Sequence, residues 1–210
     1  KNLIGAFHPP RSILVDPAAV TTLPDREVAS GLVEAFKGAW IADAELSGLA
    51  ESRLDRLLLR DEDALTELLS GVVRIKATIV SSDPFERGPR RLLNFGHTLG
   101  HAFEAAGGYR DLRHGEAVAW GIAGALSISS ERAGLSADDA KRIRSVLARL
   151  GPFPEPVRVR EILEPFLSRD KKATSRGLAG VLLETLGRAR VEESIPVDDW
   201  LAAAKAATIA

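Results

Sequence analysis

Leu92-Leu93-Asn94-Phe95-Gly96-His97-Thr98-Leu99-Gly100-His101-Ala102-Phe103-Glu104-Ala105-Ala106, followed by Gly107-Gly108, is the stretch on which the reading of this 210-residue chain turns. Its apolar residues recur at helical spacing, which predicts a helix over Leu92–Ala106 with the glycine pair as its C-cap. His97 and His101 stand four residues apart and therefore share one helix face. Gly96 and Gly100 immediately precede them and leave room for something to approach the backbone. A third histidine, in Arg113-His114-Gly115-Glu116, sits at the mouth of a second predicted helix, Gly115–Ala133. That helix is dense in Ala and Gly, with Glu116 its only charge before Glu131-Arg132, so it is expected to be buried on most sides. Antiparallel packing of the two helices would return His114 towards His97.

Outward from this pair the pattern stays mostly helical. Leu32, Val33, Phe36, Ala39 and Trp40 predict a helix over Asp25–Ile41; Leu54, Leu57 and Leu58 mark another, and Leu65–Val80 a third that ends at Asp83-Pro84. Gly88-Pro89 keeps the next link irregular. Ser136, with Asp138-Asp139 in the following turn, starts a further helix. Gly151-Pro152-Phe153-Pro154-Glu155-Pro156 is the one linker-like stretch. A short helix to Ser168, paired strands at Gly180–Thr185 and Ala189–Glu192, and a final helix from Val197 towards Ala207 follow. At the front, Arg11–Val15 reads as one short buried strand. The fold class expected is mainly α: a multi-helix domain with a short N-terminal strand and a late β-hairpin.

Composition narrows the functions. With 28 basic and 29 acidic residues the formal net charge is −1, which gives no electrostatic reason to expect nucleic acid or an anionic membrane as partner. The absence of cysteine excludes disulfides, thiolate metal ligands and a Cys nucleophile, and is compatible with a reducing cytoplasm. No apolar run has the length of a membrane span. Lys1 opens a chain without a single Met, so the expectation is that it begins inside a longer product.

Three of the four histidines lie in one short stretch of a Cys-free chain. Imidazole suits zinc, and a carboxylate is the usual third ligand where no thiolate exists. The bland alternative is a capped or core histidine pair. Glu34 is an acid inside the apolar run Leu32-Val33-Glu34-Ala35-Phe36, with Lys37 one turn away; from sequence alone it reads first as a surface acid. Of the basic residues Lys76, Arg90, Arg91, Lys171 and Lys172, most are expected to be solvated. Lys76, set among Val72, Val73, Ile75, Ile79 and Val80, is expected to be partly buried, where a cation suits a carboxylate- or phosphate-bearing ligand.

At these residues the chain resembles the 3-dehydroquinate synthase family. The likeness runs through Lys1-Asn2-Leu3-Ile4-Gly5-Ala6-Phe7, Gly31–Lys37, Leu92–Glu104, His114–Ala119 and Asp170-Lys171-Lys172, in the family's order and over nearly the whole length. It implies the C-terminal domain of an α/β + α enzyme, in which residues 1–23 are the tail end of an NAD-binding α/β domain and 24–210 a helical metal- and substrate-binding domain. The implied zinc (or cobalt) ligands, one ion per chain, are Glu34, His97 and His114. His101 would assist proton transfer beside the substrate phosphate. Lys76 and Arg90 would hold the substrate carboxylate with Asn94 close by, Lys37 would meet a ring hydroxyl, and Asn2 and Lys171 the phosphate. Lys1 and Ala19, Val20, Thr21 and Thr22 would touch NAD. The implied reaction converts a small phosphorylated sugar acid, 3-deoxy-D-arabino-heptulosonate 7-phosphate, into 3-dehydroquinate and phosphate by transient oxidation with NAD, elimination, reduction and intramolecular aldol closure. It belongs to aromatic amino-acid biosynthesis, the shikimate pathway, in a cytoplasmic homodimer.

Two departures are visible. Pro84 stands where the family usually has an acid, and the Gly-rich dinucleotide-binding turn has no counterpart, so this chain alone is expected to be inactive. Rival readings are another sugar-phosphate cyclase, whose substrate lacks the carboxylate that Arg90, Asn94 and Lys171 suit, and a non-catalytic helical domain with a closed zinc site that takes His101 as fourth ligand. A zinc hydrolase fits less well, because the histidine pair lacks the adjacent Glu of His-Glu-x-x-His. Metal-dependent polyol dehydrogenases share the architecture, but their motifs are not seen.

Overall fold

The computed structural model describes His8, residues 10–168, 173–174 and 177–209. Within them the chain folds as nine α-helices and a small sheet: α1 (Asp25–Ala42), α2 (Ala44–Ser52), α3 (Leu54–Leu58), α4 (Glu62–Ser82), α5 (His97–Ala106), α6 (His114–Arg132), α7 (Ala137–Leu150), α8 (Arg160–Ser168), β1 (Ala173–Thr174), β2 (Gly177–Thr185), β3 (Arg188–Ile195) and α9 (Val197–Ala206). The mainly α class and the late hairpin are as the sequence led one to expect, with two additions. One is α2, started by the Asp43 carboxylate that accepts from Leu46 N. The other is the two-residue β1, which completes an antiparallel sheet of order β1-β2-β3.

At the centre lies α6. From Gly115 to Leu126 every residue is buried, so it packs on several sides at once, against α1, α5, α9 and β2. Only small residues permit that. A Cβ on Gly121 would fall 1.9 Å from Gly96 O, and one on Gly100 would meet Ala117 O at 3.2 Å; α5 and α6 thus touch backbone to backbone. Around this contact Phe36, Trp40, Phe95, Phe103 and Trp200 are almost wholly buried, each removal from water contributing about 1.5–3 kcal/mol. Ser129 Oγ donates to Ala125 O and accepts from Leu183 N, which docks β2 on α6. The proline-rich stretch after α7 is strapped to α6 rather than loose: Trp120 Nε1 donates to Pro154 O at 2.8 Å and Arg158 lies over the Trp120 ring.

Three expectations fail. The predicted buried strand at Arg11–Val15 is irregular and has no strand partner among the described residues, with Ile13 71% and Leu14 95% exposed; an apolar run becomes a strand only beside another strand that takes up its backbone groups. The helix expected from Leu92 begins at His97 instead. Pro89–Asn94 is a 3-10 helix, and Gly96 at φ 78° breaks the path before α5. That left-handed turn, pressed on Ile122, admits no side chain. Lastly, Lys76 is exposed, because α4 buries only its N-terminal half, at Ala64, Leu65 and Leu68. No helix among the described residues is long and apolar enough to cross a membrane.

Replacement of Gly121 by Ala should therefore lower stability by about 1–3 kcal/mol, since the neighbour it strikes is main chain. Gly31→Ala, in α1 with nothing within 4 Å, should be neutral or stabilise by up to about 1 kcal/mol. Thermal or urea denaturation of the two variants checks the contrast.

Candidate metal centre

The close approach of α5 and α6 sets two helix starts side by side. His97 is the first residue of α5 and His114 the first of α6; their ring centroids lie 5.1 Å apart. His97 Nδ1 is 3.2 Å from Phe95 O. A carbonyl only accepts, so the network puts the proton on Nδ1 and leaves Nε2 its lone pair. Glu34, on α1, faces both rings: its Oε1 is 3.9 Å from His97 Nε2 and 3.9 Å from His114 Nε2. All three donor atoms lie within 4.8 Å of one another.

This set fits a divalent cation. Donors about 2.0–2.2 Å from one zinc ion stand roughly 3–4 Å apart. Glu34 Oε2 accepts from Lys37 Nζ at 2.8 Å, but Oε1 is buried with no hydrogen-bond partner. A carboxylate oxygen in that state costs free energy unless a cation meets it. Two imidazoles and one carboxylate, with no thiolate, suit zinc or cobalt.

Charge at the site is finely balanced. Burial works against ionisation of Glu34, but Lys37 and the His97 ring outweigh it and hold the carboxyl below its ordinary range. Lys37, 4% exposed, is pushed below the usual lysine value by burial, which its pairing with Glu34 only partly offsets; Lys76 is near enough to add to the shift. Burial, with Lys37 beside it, pushes His97 down to about 3. Near neutral pH the centre thus presents an ionised carboxylate and a neutral imidazole, the forms that bind metal.

His101 lies one turn beyond His97, edge-on to its ring at 5.2 Å, and is exposed. It is not in the Glu34 set; its donor atoms group with those of Glu104 and His114 instead. Glu104, 5% exposed, sends Oε2 to within 3.3 Å of His114 Nδ1. The sequence held a signal for it, an acid seven residues after His97 on the same face of α5, but nothing to separate it from a surface acid.

The start of α6 is held from behind. Glu116, 1% exposed, is paired with Arg26 and accepts from Arg113 N at 2.7 Å. Ser30 Oγ accepts from Gly115 N, and Arg113 bridges to Glu27. These contacts tie His114 to α1, the helix of Glu34, and none was foreseen from sequence.

Of the remaining expected residues, Lys76 lies on α4, and Arg90 and Asn94 lie on the 3-10 helix Pro89–Asn94. Asp83 shapes the loop before the 3-10 helix: its carboxylate accepts from the amides of Arg87, Gly88 and Arg90, and the bond from Arg87 is the chief cause of its lowered pKa. Pro84 has no amide to offer, but its carbonyl accepts from Arg90 Nη1 at 2.8 Å. Asn94 Nδ2 donates to Glu86 at 2.7 Å. Arg91 is engaged elsewhere, paired with Glu193 of β3. Ala19, Val20, Thr21 and Thr22 lie on the 3-10 helix Pro17–Thr22, packed against α4. Lys1, Asn2 and Lys171 fall outside the described residues.

Residues 31–173 match the family model described as 3-dehydroquinate synthase C-terminal. The chain belongs to that family. It is 42% identical over 188 residues to the 3-dehydroquinate synthase of Geobacter metallireducens, covering 89% of this chain and 52% of that protein. With the enzyme of Solibacter usitatus it shares 42% over 197 residues, 93% of this chain and 55% of the other. The chain spans about half the length of these curated relatives. Among solved structures it resembles 2-epi-5-epi-valiolone synthase from Streptomyces hygroscopicus subsp. jinggangensis, with NAD+ and Zn2+ bound, at TM-score 0.85 and 28% identity over 97% of this chain and 57% of that one. A 2-deoxy-scyllo-inosose synthase complexed with carbaglucose-6-phosphate, NAD+ and Co2+ shares the fold at TM-score 0.84, 22% identity, 99% of this chain and 60% of that one.

The shifts of His97 and Glu34 set an acid limit. Both groups have lower pKa values folded than unfolded, so below their unfolded values the unfolded chain binds more protons. The metal-free chain should lose stability as pH falls from about 6.5 towards about 3. Urea titrations across that window should show a smaller pH slope for His97→Gln.

Proposed function

We propose that the protein containing this chain is a 3-dehydroquinate synthase, converting 3-deoxy-D-arabino-heptulosonate 7-phosphate to 3-dehydroquinate and phosphate within the shikimate pathway. One observation supports it above the rest: inside a family member, Glu34 Oε1 stands buried and without a hydrogen bond opposite the Nε2 atoms of His97 and His114. When bound, the metal supplies Lewis acidity at a substrate hydroxyl, and NAD supplies a hydride acceptor.

In this reading Glu34, His97 and His114 hold one zinc or cobalt ion. Lys37, fixed by Glu34, keeps its ammonium beside that position to meet a ring hydroxyl. His101 is exposed at the rim of the cluster, where an imidazole can pass a proton near the substrate phosphate. Lys76 and Arg90 take the substrate carboxylate, with Asn94, held by Glu86, beside them. Asn2 and Lys171 meet the phosphate; Lys1 and Ala19–Thr22 meet NAD. Residues 1–23 then finish an NAD-binding α/β domain and 24–210 form the helical domain, in a cytoplasmic homodimer. The exposed C-terminal half of α4, with Lys76 on it, suits a cleft wall shared by two domains. Curated relatives at 42% identity, against 28% for the valiolone cyclase, favour dehydroquinate synthase over the other cyclases.

Metal content by mass spectrometry tests the reading first. The unaltered protein should hold one zinc per chain, Glu34→Ala and His114→Ala should lose it, and His101→Ala should keep it. Full-length His101→Ala should release phosphate from the heptulosonate phosphate about 10²- to 10⁴-fold more slowly. Loss of metal in all three variants would point to a closed structural site.

A further inference from the structure

Both histidines of the cluster are held from behind through Nδ1, but by unlike groups. His97 has the main-chain carbonyl of Phe95, which no substitution removes. Behind His114 stands a side chain, the buried carboxylate of Glu104, 3.3 Å from Nδ1. The Ser30 hydroxyl and the Glu116 carboxylate, accepting from the Gly115 and Arg113 amides, already fix where the backbone around His114 sits. They say nothing of which ring nitrogen is protonated. A neutral imidazole has two tautomers, and only the one protonated at Nδ1 has its lone pair on Nε2, facing Glu34 Oε1.

We propose that Glu104 is the positioning residue of this centre, accepting a hydrogen bond from His114 Nδ1–H and so committing Nε2 to the metal. The inference rests on the metal-binding reading above. Two features support it beyond the distance. An acid this deeply buried needs a hydrogen-bond donor, and an imidazole N–H directed at it satisfies that need. A carboxylate behind a ligand imidazole also raises its basicity and fixes its orientation, a coupling that commonly contributes 10- to 100-fold in metal affinity. Glu104 acts through His114 and touches no substrate.

The same side chain allows a competing arrangement, because the donor atoms of His101, Glu104 and His114 also lie within 4.8 Å of one another. There Glu104 would itself be a ligand of a second ion. Stoichiometry separates the two.

The test uses the purified full-length protein, with zinc affinity measured by chelator competition. Glu104→Gln should weaken binding about 10-fold and Glu104→Leu about 100-fold, with the metal-free forms keeping the circular dichroism of the unaltered protein. A second measurement needs no variant. The ¹⁵N spectrum of the metal-free protein, at a pH where the imidazoles are neutral, should show His114 protonated at Nδ1. Affinities equal to that of the unaltered protein, or an Nε2–H tautomer, overturn the proposal. So does a second zinc in the unaltered protein that Glu104→Gln loses. Failure of the unaltered protein to bind zinc at all would sink the metal-binding reading as well, whereas normal zinc binding with an indifferent Glu104 sinks this inference alone.

Discussion

Backbone contact between α5 and α6 is the constraint on which the rest of the molecule depends. Where Gly96 and Gly100 meet Ala117 and Gly121, the two helices approach without intervening side chains. Helices separated by ordinary side chains stand about 8–10 Å apart; here the spacing is set by main-chain atoms. Two histidines at the starts of different helices are thereby brought to one point. The left-handed turn at Gly96 serves the same end, because it redirects the chain so that α5 begins at His97 and the Phe95 carbonyl faces that ring.

A second constraint is electrostatic. Lys37, Glu34 and His97 are crowded into a largely buried corner, where each charge is costly unless another offsets it. Lys37 satisfies one oxygen of Glu34 and helps keep His97 neutral. The other oxygen is left without a hydrogen bond. A buried carboxylate oxygen in that state is costly, and under the proposed reading a cation would offset it. Ion pairs farther out, such as Arg26 with Glu116, do structural work: they fasten the start of α6 to the helix bearing Glu34.

Much of this was legible from residue order. Helical period gave α1, α4, α6 and α9 close to their observed limits. It failed at Leu92–Asn94 because Gly96 turns left-handed against Ile122 before α5, and at Arg11–Val15 because local pattern records what a segment can bury and is silent on whether a neighbour is present. Lys76 shows the same failure. Its apolar flanks suggested burial, but α4 leaves the core halfway along. The imidazoles were conspicuous because histidine is scarce here and cysteine absent. Glu104 and Glu116 were not, since a buried acid and a solvated one look alike in a sequence.

By itself, then, the sequence determined the helical class, the late hairpin, the family and the chemical types that would suit a metal, for these follow from period, composition and motif. Only the tertiary structure decided which nitrogen of each histidine faces Glu34, which oxygen of Glu34 lacks a hydrogen bond, and which acids stand behind the histidines. Apart from the contacts of Glu34 with Lys37 and of His97 with Phe95, those are relations between residues 10 to 90 positions apart in the chain. They exist only once glycine has let the helices close to backbone contact and burial has made every unpaired charge costly.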